Sequence, residues 1–338
     1  MSALVSRGTR ASKVAAVLAL ALAALLVAGP WWADIATERL IGEFMVYLAL
    51  ATLWNLLAGY AGLVSVGQQA FVGFGAYVLI SLASLAGWNP LYAVPVAGLG
   101  AALVAAPVAR LVFRLQGAYF AIGTWVVAEV FRLLCAQIAV LGGGSGTSLP
   151  PAAMKMLGAA RPVREATIYW LAIALGLGAV GLAYGLLRSR VGLALTAIRD
   201  SEIASDSLGI RIERVKFAVY TLVAGVTGMV GALIELQKVR MSPDAAFSVN
   251  DWTAFVIFIV VIGGIGTIEG PILGTLIYFL LREYLAELGS LYLLILGALA
   301  IFIMLLAPRG LWGFVKAHFN LSLFPTGYRV KAIGGQTP

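Results

Sequence analysis

Apolar segments recur along this chain at a length that matches a lipid bilayer. Crossing the hydrocarbon takes about 20 residues of helix. Ten candidate segments run near 14–31, 41–58, 63–86, 91–113, 117–140, 167–187, 217–236, 251–268, 271–287 and 290–307. A backbone in lipid has no water to bond, so each segment must satisfy its own N–H and C=O groups as a helix. Composition agrees: 62% of the residues are hydrophobic and 11% are charged, with a mean hydropathy of +0.99. That leaves too little polar surface to coat a water-soluble globule. The expected fold is all-α, a polytopic integral membrane protein of about ten transmembrane helices. The first segment follows Arg7, Arg10 and Lys13 but ends in Gly29-Pro30-Trp31-Trp32. That ending lacks the small residues of a signal cleavage site, and paired tryptophans suit a membrane interface.

Charge sets the orientation, because cytoplasmic loops carry an excess of Lys and Arg. With the N-terminus in the cytoplasm, that side holds Arg7, Arg10, Lys13, Arg110, Arg114, six basic residues from Arg188 to Lys216, and then Arg309, Lys316, Arg329 and Lys331. The total is fifteen, against seven on the opposite side, with Arg132 inside a span. Both termini and the loop 188–216 are therefore expected in the cytoplasm, in a multi-pass protein of a bacterial inner membrane. The organisation is an N-terminal segment (1–13), one membrane domain (14–307) and a tail (308–338). The net charge of +8 follows from this loop bias. Its basic residues are scattered and offer nucleic acid no continuous face.

Several chemistries find no residues to carry them. Cys135 is the single cysteine and reads as a small apolar packing residue. His318 is the single histidine, with no second ligand near it for a metal. No Gly-x-x-x-x-Gly-Lys-Ser/Thr motif occurs, so this chain has no P-loop of its own. The run 142–147, GGGSGT, lacks the lysine and reads as a flexible non-cytoplasmic loop. No nucleophile–base set stands in the spans. Neither an enzyme, a metal nor a cofactor is expected.

Three features remain for function. The loop 188–216 contains a short helix over 201–208, with Asp200 as its N-cap and Gly209 as its stop. It is either a solvated loop that fixes topology or a polar helix that docks a soluble partner. Glycines cluster at 59–77 and again at 263–274, one cluster in each half of the chain. Such clusters allow close helix packing or break helices where they are buried or line a cavity. Their matched positions outline a distant internal repeat. Gln68 and Gln69 within the first cluster need polar partners at membrane depth. Glu129 is the one clear candidate for a buried intramembrane carboxylate, and Arg132, at i+3, is its expected partner.

These residues, in order, resemble a known family. The motifs are NLLAGYAGLVSVGQQAFVGFGAY at 55–77, RLQGAYFAIGT at 114–124, GGGSGT at 142–147, LRSRVGLALTAIRD at 187–200 with LGI at 208–210, GGIGTIEGPILG at 263–274 and PRGLW at 308–312. Together they are similar to the LivM-type permease subunits of branched-chain amino-acid ABC importers, over roughly residues 40 to 313. The resemblance implies a lipid-embedded permease that hydrolyses no ATP. It would work beside a second, related permease as a heterodimer, two cytoplasmic ATP-binding subunits and a periplasmic solute-binding protein. Related importers carry urea or short amides, and an ion-coupled carrier is the rival from another class. On this reading Gly67, Gln68, Gln69, Phe71, Gly75, Tyr119, Thr124 and Gly264 flank the solute route. Arg199, Asp200, Ser201, Glu202, Ile203, Ser205, Leu208 and Gly209 couple to the ATPase.

Overall fold

The computed structural model describes residues 3–6, 10–285, 288–289, 291–307, 309–319, 323–325 and 329–332. Arg7 and Pro308, used above, lie outside the described residues. Each of the ten expected segments holds a helix. The helices are α1 (Arg10–Val27), α2 (Ile35–Asn55), α3 (Gln68–Leu85), α4 (Pro90–Val112), α5 (Ala118–Ala136), α6 (Pro151–Met156), α7 (Arg161–Leu187), α8 (Arg190–Asp200), α9 (Glu202–Ser207), α10 (Ile212–Lys238), α11 (Pro243–Ala246), α12 (Phe255–Gly263), α13 (Glu269–Leu285), α14 (Leu291–Leu306) and α15 (Gly310–Phe319). Strand β1 (Ala3–Ser6) pairs antiparallel with β4 (Arg329–Ala332), and β2 (Thr147–Ser148) with β3 (Arg240–Met241). Among the described residues, eight helical stretches are long and apolar enough to cross a membrane on length and composition alone. Two of the expected ten, α1 and α13, fall short of that measure.

Burial separates centre from rim. α2, α3 and α10 are mostly enclosed by other helices, whereas α4, α5, α7 and α14 turn most of their surface outward. Small residues explain how the centre closes. Ala93, Ala97, Ala101, Ala105 and Ala109 recur every fourth residue along α4 and are fully buried; Gly228 of α10 packs against Ala97 and Ala101 of this stripe, and Gly225 against the adjacent Gly98 and Ala102. A Cβ on Gly75 would strike the Gly228 carbonyl, and one on Gly231 the Val72 carbonyl, so α3 and α10 touch backbone to backbone. Without a hydrophobic drive between helices in lipid, such close van der Waals contact supplies much of the association.

α2 begins at Asp34, whose carboxylate accepts from the Thr37 amide at 3.2 Å. The Thr37 hydroxyl and amide hold that carboxyl below the usual carboxylate range. At its other end α2 widens into a π turn, Leu56–Tyr60. A second π turn, Asn250–Ala254, leads into α12. Such one-residue insertions mark irregular backbone inside helices.

Three expectations are corrected. Residues 142–147 are not a loose loop, because β2 pairs with β3 and Gly146 lies against the Met241 carbonyl. The segment 188–216 holds two helices, not one. Ser201, rather than Asp200, caps the second: its hydroxyl accepts from the Ala204 amide at 3.2 Å, while Asp200 closes α8. Glu129 is not a buried carboxylate. Its side chain is 45% exposed and paired with Arg132, which also reaches Asp244. Among the described residues the buried carboxylates are Glu235 (0% exposed), Glu38 (7%) and Glu269 (8%).

Candidate functional site

Both glycine clusters break their helices, and the two breaks meet at one end of the bundle. Gly62, Gly264 and Gly266 have φ of +68°, +131° and +73°, a region that side chains disfavour. The Asn55 amide ties the breaks together. Its Nδ2 donates to the Thr267 carbonyl at 2.7 Å, and its Oδ1 accepts from the Gly266 N–H at 2.8 Å. Gly59 must be glycine for this approach, since a Cβ there would lie 2.5 Å from the Gly266 nitrogen. From the 188–216 segment, the Arg199 guanidinium sits 5.9 Å from the centre of the Tyr60 ring. The Glu269 carboxylate accepts from the Leu323 and Phe324 amides at 3.1 and 2.9 Å, which seats part of the tail on the same end.

Most of the expected route residues lie at helix contacts, and none of them lines the cavity beside Gly62 or the one beside Glu38. Gln68 donates to the Leu50 carbonyl of α2 at 3.0 Å. Gln69 accepts from the Thr253 hydroxyl in the second π turn. The two amides thus face different helices, as neighbours about 100° apart on a helix must. One polar atom of each, Gln68 Oε1 and Gln69 Nε2, is buried without a partner among the described residues. Phe71 packs edge-on against Tyr220, and Gly75 marks the α3–α10 crossing. Gly67 abuts the Thr124 carbonyl, and the Thr124 hydroxyl accepts from the Val66 amide at 3.0 Å. Tyr119 does not join this group; it is 74% exposed on the outer face of α5. Its neighbours Phe120 and Ala121 instead line an open cavity of about 700 Å³ with Gly62, Leu63 and Gly117. Glu202 and Lys216, paired at 2.5 Å, stand on the rim of that cavity.

A second cavity, of about 220 Å³, opens at the opposite end between α2, α7 and α10. Its lining includes Glu38, Arg39, Glu43, Glu165, Lys238 and Trp252, none of which the motifs pointed to. Each stands near the end of a segment, where a charge reads as an ordinary loop residue.

The residues expected to couple lie on and around α9, mostly exposed. Ser205 is the buried anchor, donating to the Ser201 carbonyl at 2.8 Å. Gly209 takes φ +81° and ends the helix as expected. Ile203 and Leu208 are 85% and 79% exposed, an unusual position for two large apolar side chains on a polar loop.

Comparison with known proteins places this architecture. The sequence profile of the branched-chain amino acid transport system permease component family matches residues 36–304, which is nearly the whole helical bundle. The chain belongs to that family. As a branched-chain amino acid transport permease of the LivM type, it is 30% identical over 323 residues to the high-affinity branched-chain amino acid transport system permease protein LivM of Escherichia coli, covering 89% of this chain and 76% of that protein. It is 29% identical over 324 residues to the LivM protein of Salmonella typhimurium, with the same coverage. It is 23% identical over 276 residues, 72% of this chain and 79% of the relative, to a probable LivM permease of Methanocaldococcus jannaschii. No solved structure matches the chain.

Proposed function

We propose that this permease is the membrane subunit of a binding-protein-dependent ABC importer for branched-chain amino acids. The observation that carries the reading is the family match over residues 36–304, the same residues that build the bundle and its two meeting breaks. A transport permease forms no covalent intermediate; its work is to stabilise outward- and inward-open states in turn. Solute handed over by a periplasmic protein enters at the cavity beside Glu38 and leaves through the cavity beside Gly62. The Gln69–Thr253 bond closes the path between them: Trp252, next to Thr253, lines the first cavity, and Ala121, one helical turn from Thr124, lines the second. Gly67, Gln68, Phe71, Gly75 and Gly264 hold the backbones around that closure.

ATP is hydrolysed on separate cytoplasmic subunits, and a second, related permease completes the membrane part. Ile203 and Leu208, on and beside α9, enter a groove on the ATPase, with Glu202 and Asp200 around them. Arg199, on Tyr60, relays the displacement to the Asn55 clasp. The test is leucine uptake into proteoliposomes containing the assembled importer. Uptake is expected to require ATP, ATPase subunits and binding protein, and to ignore ionophores. Leu208→Asp should leave ATP hydrolysis and assembly in place while abolishing uptake; normal uptake in that variant would reduce α9 to a topological loop. Urea or acetamide driving ATP-dependent uptake in place of leucine would move the chain to the short-amide importers. The buried, unpartnered Glu235 carboxyl favours a second reading, an ion-coupled carrier. Uptake that collapses with an ionophore and proceeds without ATP would establish it.

A further inference from the structure

The cavity between α2, α7 and α10 combines features that no helix contact requires. Most of its charges are already satisfied by one another. Glu165 is bound by Arg39, whose Nε donates at 3.1 Å, with Arg161 at 3.9 Å. Glu43 is bound by Arg282 at 2.7 Å. Two charges are left. Glu38 is 7% exposed, and its Oε2 is buried with no hydrogen-bond partner among the described residues. The Lys238 ammonium rests 4.7 Å from the centre of the Trp252 ring; among the described residues no carboxylate lies within ion-pair distance of it, and the buried Glu235, three residues earlier on α10, acts on it only by longer-range attraction. A buried carboxylate without a donor is strongly disfavoured, so its retention beside a cavity points to a donor that arrives from outside.

The rest of the wall is mostly apolar, with Val46, Ile168, Ile234 and the Trp252 ring beside Gly42, the Gln237 amide and Tyr169, whose hydroxyl already donates to the Leu26 carbonyl. The volume decides what size of guest is in question. An engineered apolar cavity of about 150 Å³ takes up benzene, so about 220 Å³ admits a small amphipathic molecule and no peptide of any length. We propose that this cavity receives a zwitterionic α-amino acid with an apolar side chain, its ammonium on Glu38, its carboxylate on Lys238 and its side chain against Val46, Ile168 and Ile234. Release of Lys238 from Trp252 accompanies binding. The proposal rests on the reading of the chain as an amino-acid permease and gives that reading a reception site.

The experiment uses the assembled importer in phosphatidylglycerol nanodiscs, without binding protein. It is titrated with radiolabelled leucine, with isopentylamine, which keeps only the ammonium, and with 4-methylpentanoate, which keeps only the carboxylate. Each one-charge probe should bind about tenfold or more weakly than leucine, since a lost charged hydrogen bond is felt on that scale. Glu38→Gln should weaken leucine and isopentylamine while leaving 4-methylpentanoate unchanged; Lys238→Gln should weaken leucine and 4-methylpentanoate while leaving isopentylamine unchanged. Misfolding would weaken all three probes together and cannot produce this crossed pattern. Uniform losses, wild-type affinity in both variants, or no leucine binding to the wild-type assembly would overturn the proposal. Phosphatidylethanolamine carries the same pair of charges, so a second arm adds it to the nanodiscs. Unchanged leucine affinity supports the amino acid as occupant, and strong competition gives the cavity to a lipid headgroup and overturns it. If ATP-driven leucine uptake persists after either failure, the permease reading stands and the solute binds elsewhere.

Discussion

The Asn55 clasp can be tested in quantitative terms. Asn55→Leu keeps the side chain's approximate size and removes both bonds, to the Gly266 N–H and the Thr267 carbonyl. Interhelical hydrogen bonds in membranes average about 0.6 kcal/mol and reach about 1.7. Two such bonds give roughly 1–3 kcal/mol, because Asn55 is buried and the freed backbone groups lose their partner. At about 2–4 °C per kcal/mol for a protein of this general size, the expected fall in Tm is several degrees in detergent. Fluorescence-detected size exclusion after graded heating measures it. Asn55→Asp is the control for size: it is isosteric, keeps an acceptor for Gly266, and turns an oxygen toward the Thr267 carbonyl. It should lose at least as much stability as Asn55→Leu. If volume were the cause, Asp would be near neutral and Leu worse. That order, or wild-type melting in Asn55→Leu, would refute the clasp as the tie between the two breaks.

Other perturbations follow from the same geometry. Gly75→Ala forces a Cβ onto the Gly228 carbonyl and should lower both folded yield and uptake, by about 1–3 kcal/mol on the scale of overpacked cores; a wild-type melting curve would show that α3 and α10 can separate at no loss. Cysteines at Ser207 and Ala160 should be labelled from opposite faces of the membrane in a Cys135→Ser background, Ser207 from the cytoplasm. Ser207 is chosen because it is exposed, whereas Ser205 is buried; labelling of both from one face would overturn the orientation. Glu235→Met replaces an enclosed, unpartnered carboxyl with an apolar group of similar length. It should raise stability by about 1–3 kcal/mol, and a loss of stability would reveal a partner for Glu235 in the assembled importer.

How much of this was legible in the sequence depended on the kind of interaction. Helix positions were readable because bilayer thickness imposes a length and backbone bonding imposes a helix. The break at 59–67 was readable because glycines crowd next to Gln68 and Gln69. The alanine stripe from Ala93 to Ala109 was present at period four and went unread, since alanine also fills ordinary apolar helices. α8 went unread because Arg190 and Arg199 dilute its apolar face. Asp200 reads as the cap because Asp and Ser adjoin and both cap well; the extended backbone of Ser201, at φ −163°, and its bond from the Ala204 amide decide between them. Glu38 and Lys238 were illegible for another reason. They lie two hundred positions apart in the chain, and nothing short of tertiary structure brings a first-turn glutamate and a last-turn lysine to one cavity.

The pairing of β1 with β4 bears on the parity of the crossings. Strands that share hydrogen bonds share a side, so with β1 and β4 in water the expected number of crossings between them is even. Eight stretches meet the length and composition measure; adding α1 alone, or α13 alone, would make nine. The two must be assigned together. α1 lies along α7 from Lys13, in a common pocket with Tyr184 and Arg188, to Leu26 and Val27, whose carbonyls accept from Tyr169 and Trp170. It therefore covers most of the depth that α7 covers. If α7 crosses, so does α1, and the even count then carries α13 across with it.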